Sequence, residues 1–287
     1  MNFSLYIAKR YLLSKSSNNA INFITIIAAI GVVLGSASLF IVLSGFAGLK
    51  DFTLQFTSII DPDLKAEAST GKSFVISEDE FSKLNNLESI ASFSKIIEER
   101  VFVTFEEKSY TSAYIKGVDQ HFEKVNAIDS VVVLGSWLTQ KTNQIVSGWG
   151  IANTLSFGVL DYGKRINLYV PKPGKGQITS AKQAFNNFNA VNVGVFDVNE
   201  NLNDKYIYAP IDMARALLGF DENEVTSLEF KLKEEATEDQ ARTEITSVLG
   251  DKIILKNSAQ LNDALYKMLN TENLAVYLIF TLVLIIA

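Results

Sequence analysis

No cysteine occurs in the chain, so no disulfide braces it and no thiolate serves as nucleophile or metal ligand. Histidine is nearly as scarce. The single one, His121, excludes multi-histidine metal sites and leaves one candidate for any Ser-His arrangement. Within GVDQHFEKV, beside charged residues, it reads as a solvated turn residue. The phosphate-loop pattern G-x-x-x-x-G-K-[ST] is missing, and Gly174-Lys175-Gly176 comes after prolines at 171 and 173 that suit a loop. Carboxylate pairs such as Glu98-Glu99, Glu106-Glu107 and Glu234-Glu235 are sequence neighbours, which point apart or cap turns. Nothing here assembles a catalytic, metal or cofactor site, and the chain is expected not to be an enzyme.

Charge is the other absence. No charged side chain lies between Lys15 and Lys50, and residues 20–46, AINFITIIAAIGVVLGSASLFIVLSGF, are apolar almost throughout. A helix rises about 1.5 Å per residue and the hydrocarbon slab is roughly 30 Å thick, so about 20 such residues cross it. A cleaved signal has a shorter apolar region, of about 7–15 residues, with small residues at its end. Here Gly35-Ser36-Ala37-Ser38 is succeeded by more apolar sequence from Leu39 to Leu43, which fits an uncleaved anchor. Lys9, Arg10 and Lys15 precede it and no acidic residue occurs before Asp51. The N-terminus is therefore expected in the cytoplasm, and the chain beyond the span outside.

Four of the 26 basic residues and none of the 32 acidic ones lie before Asp51, leaving a balance of −10 beyond Lys50. An acidic globe repels nucleic acid, so no nucleic-acid partner is expected. At the far end, residues 273–287, NLAVYLIFTLVLIIA, are uncharged again and reach only about 22 Å as a helix. The expectation is a second span cut short.

Between the two apolar ends the pattern is mixed, and the fold class expected is α+β. Phe3, Tyr6, Ile7 and Tyr11 fall near one face of an interfacial helix, with Lys9 and Arg10 on another. Leu49, Phe52, Phe56 and Ile59 or Ile60 carry the first helix past the membrane as a stalk that Asp61-Pro62 ends. Leu261, Leu265, Met268 and Leu269 form a matching stripe, and the two stalks are expected to pack together. Residues 101–107 and 109–118 read as paired strands about a turn near Lys108, with further strands at 165–170, 191–198, 206–209, 227–233 and 252–256. Ser77 to Glu80 and Thr237 to Gln240 each fit a capping box, with buried stripes behind them. Each helix sits between strand-like runs, 64–69 and 90–97 for the first. Two βαβ-like units forming one subdomain are therefore expected, with residues 98–200 inserted as a β-rich second subdomain. The expected organisation is an interfacial segment 1–19, a first span 20–49, an external domain 50–265, and a stalk with truncated span 266–287.

Five stretches carry a family resemblance: residues 6–52 around the first span, YIKGVD at 114–119, GWGIANTLSFGVLDYGKRINLYVPKP at 148–173, VNVGVFDV at 191–198, and the closing ALYKMLNTENLAVYLIFTLVLIIA. In order and spacing they resemble the ABC-transporter permeases of the LolC/LolE lipoprotein-release type, within the wider group that includes MacB and FtsX. The resemblance implies a multi-pass subunit of the bacterial inner membrane, with the large domain periplasmic between the first and second of four spans. It further implies a second permease subunit, like or unlike, and a cytoplasmic ABC ATPase partner that binds ATP and magnesium. The lipoprotein branch adds lipoprotein cargo, membrane lipids and a periplasmic chaperone. Its siblings suggest a MacB-like exporter or an FtsX-like scaffold for a cell-wall hydrolase.

Three sets of residues are candidate sites. Phe40, Leu43, Phe46 and Leu49 form a candidate groove for acyl chains, or else an ordinary lipid or helix contact. Gly31 and Gly35 make a GxxxG at which helices approach closely. In one family member type a chaperone-docking hook protrudes before the V-x-V-G-x-F strand. Here that is residues 172–190, with Lys172, Lys175 and Lys182 as basic contacts and Phe185 and Phe188 as apolar tips. A basic, aromatic loop on an acidic globe suits protein docking, and an idle surface hairpin has the same sequence.

Overall fold

The computed structural model describes residues 3, 6, 7, 10, 19–160, 163–172 and 184–286. They divide into a helical unit, Met1–Gln55 with Asn262–Ala287, and a unit spanning Phe56–Leu261. Phe3, Tyr6 and Ile7 are helical and exposed, whereas Lys9 and Tyr11 lie outside the described residues.

The first helix, α1 (Asn19–Ile60), is continuous. Its segment Phe23–Gly48 has a mean hydropathy of 2.7 and is long and apolar enough to cross a membrane. From Phe23 to Gly48 only Gly35, Leu39, Leu43 and Phe46 are half-buried, and every other residue is exposed. Their spacing of four, four and three residues traces one helical stripe. The Ser36 hydroxyl donates to the carbonyls of Val32 at 2.9 Å and Val33 at 3.0 Å, so this hydroxyl does not face hydrocarbon unpaired.

After the Asp61-Pro62 break come β1 (Leu64–Ala68), β2 (Phe74–Val75), α2 (Glu78–Asn85), β3 (Ile90–Phe105) and β4 (Lys108–Val118). The expected capping box is complete: the Ser77 hydroxyl accepts from the Glu80 amide at 3.2 Å, and the Ser77 amide donates to Glu80 Oε2 at 2.9 Å. Next lie α3 (Phe122–Val125), β5 (Val132–Gly135), β6 (Gln144–Gly148), α4 (Trp149–Leu155), β7 (Ile166–Pro171) and β8 (Phe185–Phe196). The unit closes with α5 (Glu200–Asn203), β9 (Tyr206–Pro210), α6 (Ile211–Leu218), β10 (Glu224–Val225), β11 (Ser227–Leu232), α7 (Glu238–Leu249), β12 (Ile253–Asn257) and α8 (Ser258–Leu261). A last helix, α9 (Asp263–Ile286), belongs to the helical unit. Most stalk side chains whose packing the sequence suggests, among them Leu49, Phe52, Leu265 and Leu269, lie outside the described ones.

At α7 the sequence expectation is half right. The Thr237 hydroxyl accepts from the Gln240 amide at 3.3 Å, but the Gln240 side chain turns along the helix to Glu244 at 2.9 Å instead of returning to the cap.

Strands β12, β1, β11 and β3 lie in that order, each antiparallel to its neighbour. The units β1-α2-β3 and β11-α7-β12 are thus split βαβ motifs, each pair of strands held apart by one strand of the other unit, as in ferredoxin-like folds. Leu84 of α2 and Ala241, Ile245 and Leu249 of α7 pack with Leu64, Phe93, Leu228 and Phe230 in one cluster. Burying Phe230 alone contributes about 1.5–3 kcal/mol.

The inserted part is a closed ring. Strand β3 pairs with β4, β4 with β9, β9 with β6, β6 with β8, β8 with β7, and β7 returns to β3. Closure removes most of the free edge these six strands would otherwise present. Inside are Val103, Ile115, Ile145, Leu168 and Ile207, with Ile151 and Leu155 of α4 and Leu217 of α6 in the same cluster. Gly117 admits α6 to the sheet, since a Cβ there would stand 2.4 Å from that of Ala214. The ring needs β9 and α6, so the insertion runs past residue 200, and β3 is one strand of 16 residues shared by both halves, not two separate runs. A third cluster, including Ile60, Val118, Phe122, Phe196 and Tyr208, covers another face. All three clusters draw on residues from Ile60 to Ile253, so this unit carries complete cores of its own.

Candidate functional site

The end of the β7–β8 hairpin is where the sequence points to docking. Register pairs Pro171 with Phe185 and Leu168 with Phe188, and the Lys172 amide donates to the Ala184 carbonyl at 2.9 Å. Residues 185–190 are therefore strand, not loop. Lys172 is exposed and Phe185 is 39% exposed, so these two stand at the hairpin end. Phe188 is not an apolar tip: it packs against the ring's core, because it alternates with the outward-facing Asn187 and Asn189 along β8. Lys175 and Lys182 lie outside the described residues.

Beside that end opens a cleft of about 890 Å³. Its floor comprises Val101 and Phe102 of β3, Val170 and Phe185 of the hairpin, Leu218 of α6, and Phe220. On its rim stand Lys72, Arg100 and Lys172, against one acidic residue, Glu99, which Lys72 neutralises at 2.8 Å. Arg100 donates Nε–H to the Thr111 carbonyl at 3.0 Å, leaving its Nη atoms without a partner among the described residues. The sequence does not announce this cleft, because its lining comes from six separated stretches of the chain. Only Arg100 and Phe102, facing outward from a strand of buried valines, carried a signal.

On α1, Phe40 is 73% exposed, Leu43 and Phe46 are half-buried, and the Leu49 side chain lies outside the described ones. Around Gly31 and Gly35, apart from the helix's own nearby backbone and chain neighbours, no heavy atom lies within 4 Å of where a Cβ would be.

The sheet also carries a ladder of charge on the face away from α2 and α7. Lys256 meets Glu67 at 2.6 Å, Lys65 meets Glu67 at 3.5 Å and Glu98 at 3.4 Å, and Lys205 stands 3.6 Å from Glu98. The Tyr206 hydroxyl donates to Glu98 at 2.8 Å. Burial alone would raise the Glu98 carboxyl, but Lys65, Lys116, Lys205 and that hydroxyl outweigh it and hold it at about 2. The Tyr206 and Tyr208 hydroxyls are pushed up by burial and by Glu98 and Glu229. His121 precedes α3, with Nδ1 3.6 Å from Asp119.

The chain thus combines an apolar helix long enough to cross a membrane with a ferredoxin-like sheet that has a ring inserted in it. Residues 25–248 match the MacB-like periplasmic core domain, and the chain belongs to that family. No curated protein matches. Among solved structures, the periplasmic region of MacB from Actinobacillus actinomycetemcomitans is similar at 14% identity, over 72% of this chain and 94% of that one, with a TM-score of 0.50. The extracellular domain of the noncanonic ABC-type transporter YknZ from Gram-positive bacteria aligns at 14% identity over 68% and 99% of the two chains, with a TM-score of 0.47. The family is that of ABC-transporter permease components, so the chain is the periplasmic domain of a membrane permease with an N-terminal apolar helix. The family match supports the MacB/FtsX-like permease superfamily and does not single out its lipoprotein-release branch.

Proposed function

We propose that the chain is part of a permease subunit that draws lipoproteins from the inner membrane and passes them to a periplasmic chaperone. In this reading the membrane-crossing helices transmit force from a cytoplasmic ATPase, which binds ATP and magnesium, and a second permease subunit completes the pathway. The observation that carries it is the β7–β8 hairpin, ending in exposed Lys172 and Phe185 on an acidic globe.

The domain used as bait in an envelope extract tests the proposal. A lipoprotein chaperone is expected, captured by the intact domain and lost when residues 173–183 are replaced by a short Gly-Ser link. That replacement leaves Lys172, Ala184 and the whole of β8 in place, whereas removing 172–190 would take away half of β8. Capture of an envelope-spanning adaptor would instead indicate an exporter. A cell-wall hydrolase would indicate an FtsX-like scaffold, and either result overturns the lipoprotein reading.

A further inference from the structure

The cleft at the hairpin root joins three features: concavity, an apolar floor, and a rim with more positive than negative charge. Its volume of about 890 Å³ falls among small-ligand sites, which run from roughly 300 to 1,000 Å³. Phe102 and Phe185, at 36% and 39% exposed, face into a site that is otherwise closed beneath by buried Val101, Val170 and Leu218. Large aromatics held half in water on a rigid sheet lower their free energy when an apolar group covers them. With Glu99 neutralised by Lys72, the uncompensated charge is on Arg100 and Lys172, so the head of the occupant is an anion.

The occupant's form is set by the backbone. Where it borders the cleft, β3 is paired at Glu99–Val101 by β4 alone and β7 at Val170–Pro171 by β8 alone, so the unpaired backbone is two or three residues long on each strand; the Arg100 amide there already donates to the Glu99 carboxylate at 3.1 Å, and Pro171 has no amide hydrogen to give. That is too little free edge to pair an extended peptide, whose remaining buried amides would go unpartnered. An acyl chain has no such groups to satisfy.

We propose that this cleft binds a single-chain anionic amphiphile, with its acyl chain on the phenylalanine floor and its carboxylate or phosphate between Arg100 and Lys172. The site is a property of this domain and holds whichever cargo the permease moves. Amphiphile labelling and chaperone capture therefore fail separately.

The test uses the 56–261 unit, whose cores close without the helices, because detergent would compete for the site. Palmitate bearing a diazirine on its chain is photolysed with the unit, and the adducts are mapped by mass spectrometry. Adducts are expected on the strands carrying Phe102 and Phe185. Unlabelled palmitate and lysophosphatidylglycerol compete, the stronger of the two naming the head group, while uncharged monopalmitoylglycerol competes roughly tenfold less well. Phe102→Ser with Phe185→Ser lowers labelling roughly tenfold. Lys172→Glu, at an exposed position, abolishes the preference for an anionic head, and an unchanged unfolding midpoint shows that the fold is intact. Adducts centred elsewhere, equal competition by the uncharged lipid, or displacement by an acidic amphipathic peptide but not by either anionic amphiphile would each overturn the assignment.

Discussion

Lys116 on β4 and Glu229 on β11 form an ion pair of 2.7 Å, with side chains only 9% and 1% exposed. They reach across β3 from opposite sides and so join the ring to the ferredoxin-like sheet. The Asn126 amide donates to the other Glu229 oxygen at 2.7 Å, and the Lys116 ammonium lies 5.2 Å from the centre of the Phe122 ring. Two buried charges each depend on the other for solvation.

Removing one partner should therefore cost far more than removing both. Lys116→Met strands the Glu229 carboxylate and is expected to destabilise the 56–261 unit by about 3–5 kcal/mol. Adding Glu229→Leu should recover most of that, short of about 1–2 kcal/mol for the acceptor lost to Asn126. Urea unfolding monitored by the fluorescence of Trp137 and Trp149 reads the difference. Equal stability of the single and double variants would contradict a buried, interdependent pair.

Glu98 makes stability depend on acid. Its folded carboxyl sits near 2 against an ordinary 4.5, so its contribution is fully present above pH 4.5 and fades as pH falls towards 2. A depression of that size corresponds to roughly 3 kcal/mol. In Glu98→Gln the urea midpoint should be lower at neutral pH and should fall less steeply between pH 4.5 and 2. Parallel curves for the two proteins over that window would rule out the ladder as its cause.

How far the sequence discloses this molecule depends on the range of each signal. The 26-residue apolar segment and the Ser77 cap depend on neighbours in sequence, and both appear where the residues place them. Strand existence is equally local, since the aromatic and β-branched residues of β4 and β9 favour extended backbone even where consecutive residues are buried, as at Ile115–Val118 and Ile207–Pro210. Ring closure is not local. It depends on β3 and β8 each serving two sets of partners along their length, which no spacing encodes. The same cause misplaced Phe188, which belongs to β8 and not to the loop before it, and hid the cleft. Lys116 did leave a trace, as a lone charge within the strand YIKGV.

The two caps should differ in strength. Ser77→Ala removes the hydroxyl that accepts from the Glu80 amide and also donates to the Glu80 carboxylate at 3.0 Å, leaving that carboxylate to the residue-77 backbone amide and to Lys252 at 2.6 Å. A loss of about 1–2 kcal/mol is expected, against about 0.5–1 kcal/mol for Thr237→Ala, which has one arm. Amide exchange in the first turns of α2 and α7 measures both. A larger effect at Thr237 would refute the half-box at α7.

The absence of cysteine makes the membrane topology directly measurable, because any introduced thiol is the only one present. Ser82→Cys places an exposed thiol on α2 of the external unit, and Ser16→Cys places one on the basic side of the first span. With the periplasm opened and the inner membrane intact, an impermeant maleimide should label the first and reach the second only after that membrane is permeabilised. Charge and length alone dictate this pattern: Lys9, Arg10 and Lys15 resist crossing, and about 20 apolar residues are enough to span. The reverse pattern would place the domain in the cytoplasm and remove the basis for any periplasmic partner. Labelling of both positions in intact membranes would mean that Phe23–Gly48 does not cross at all.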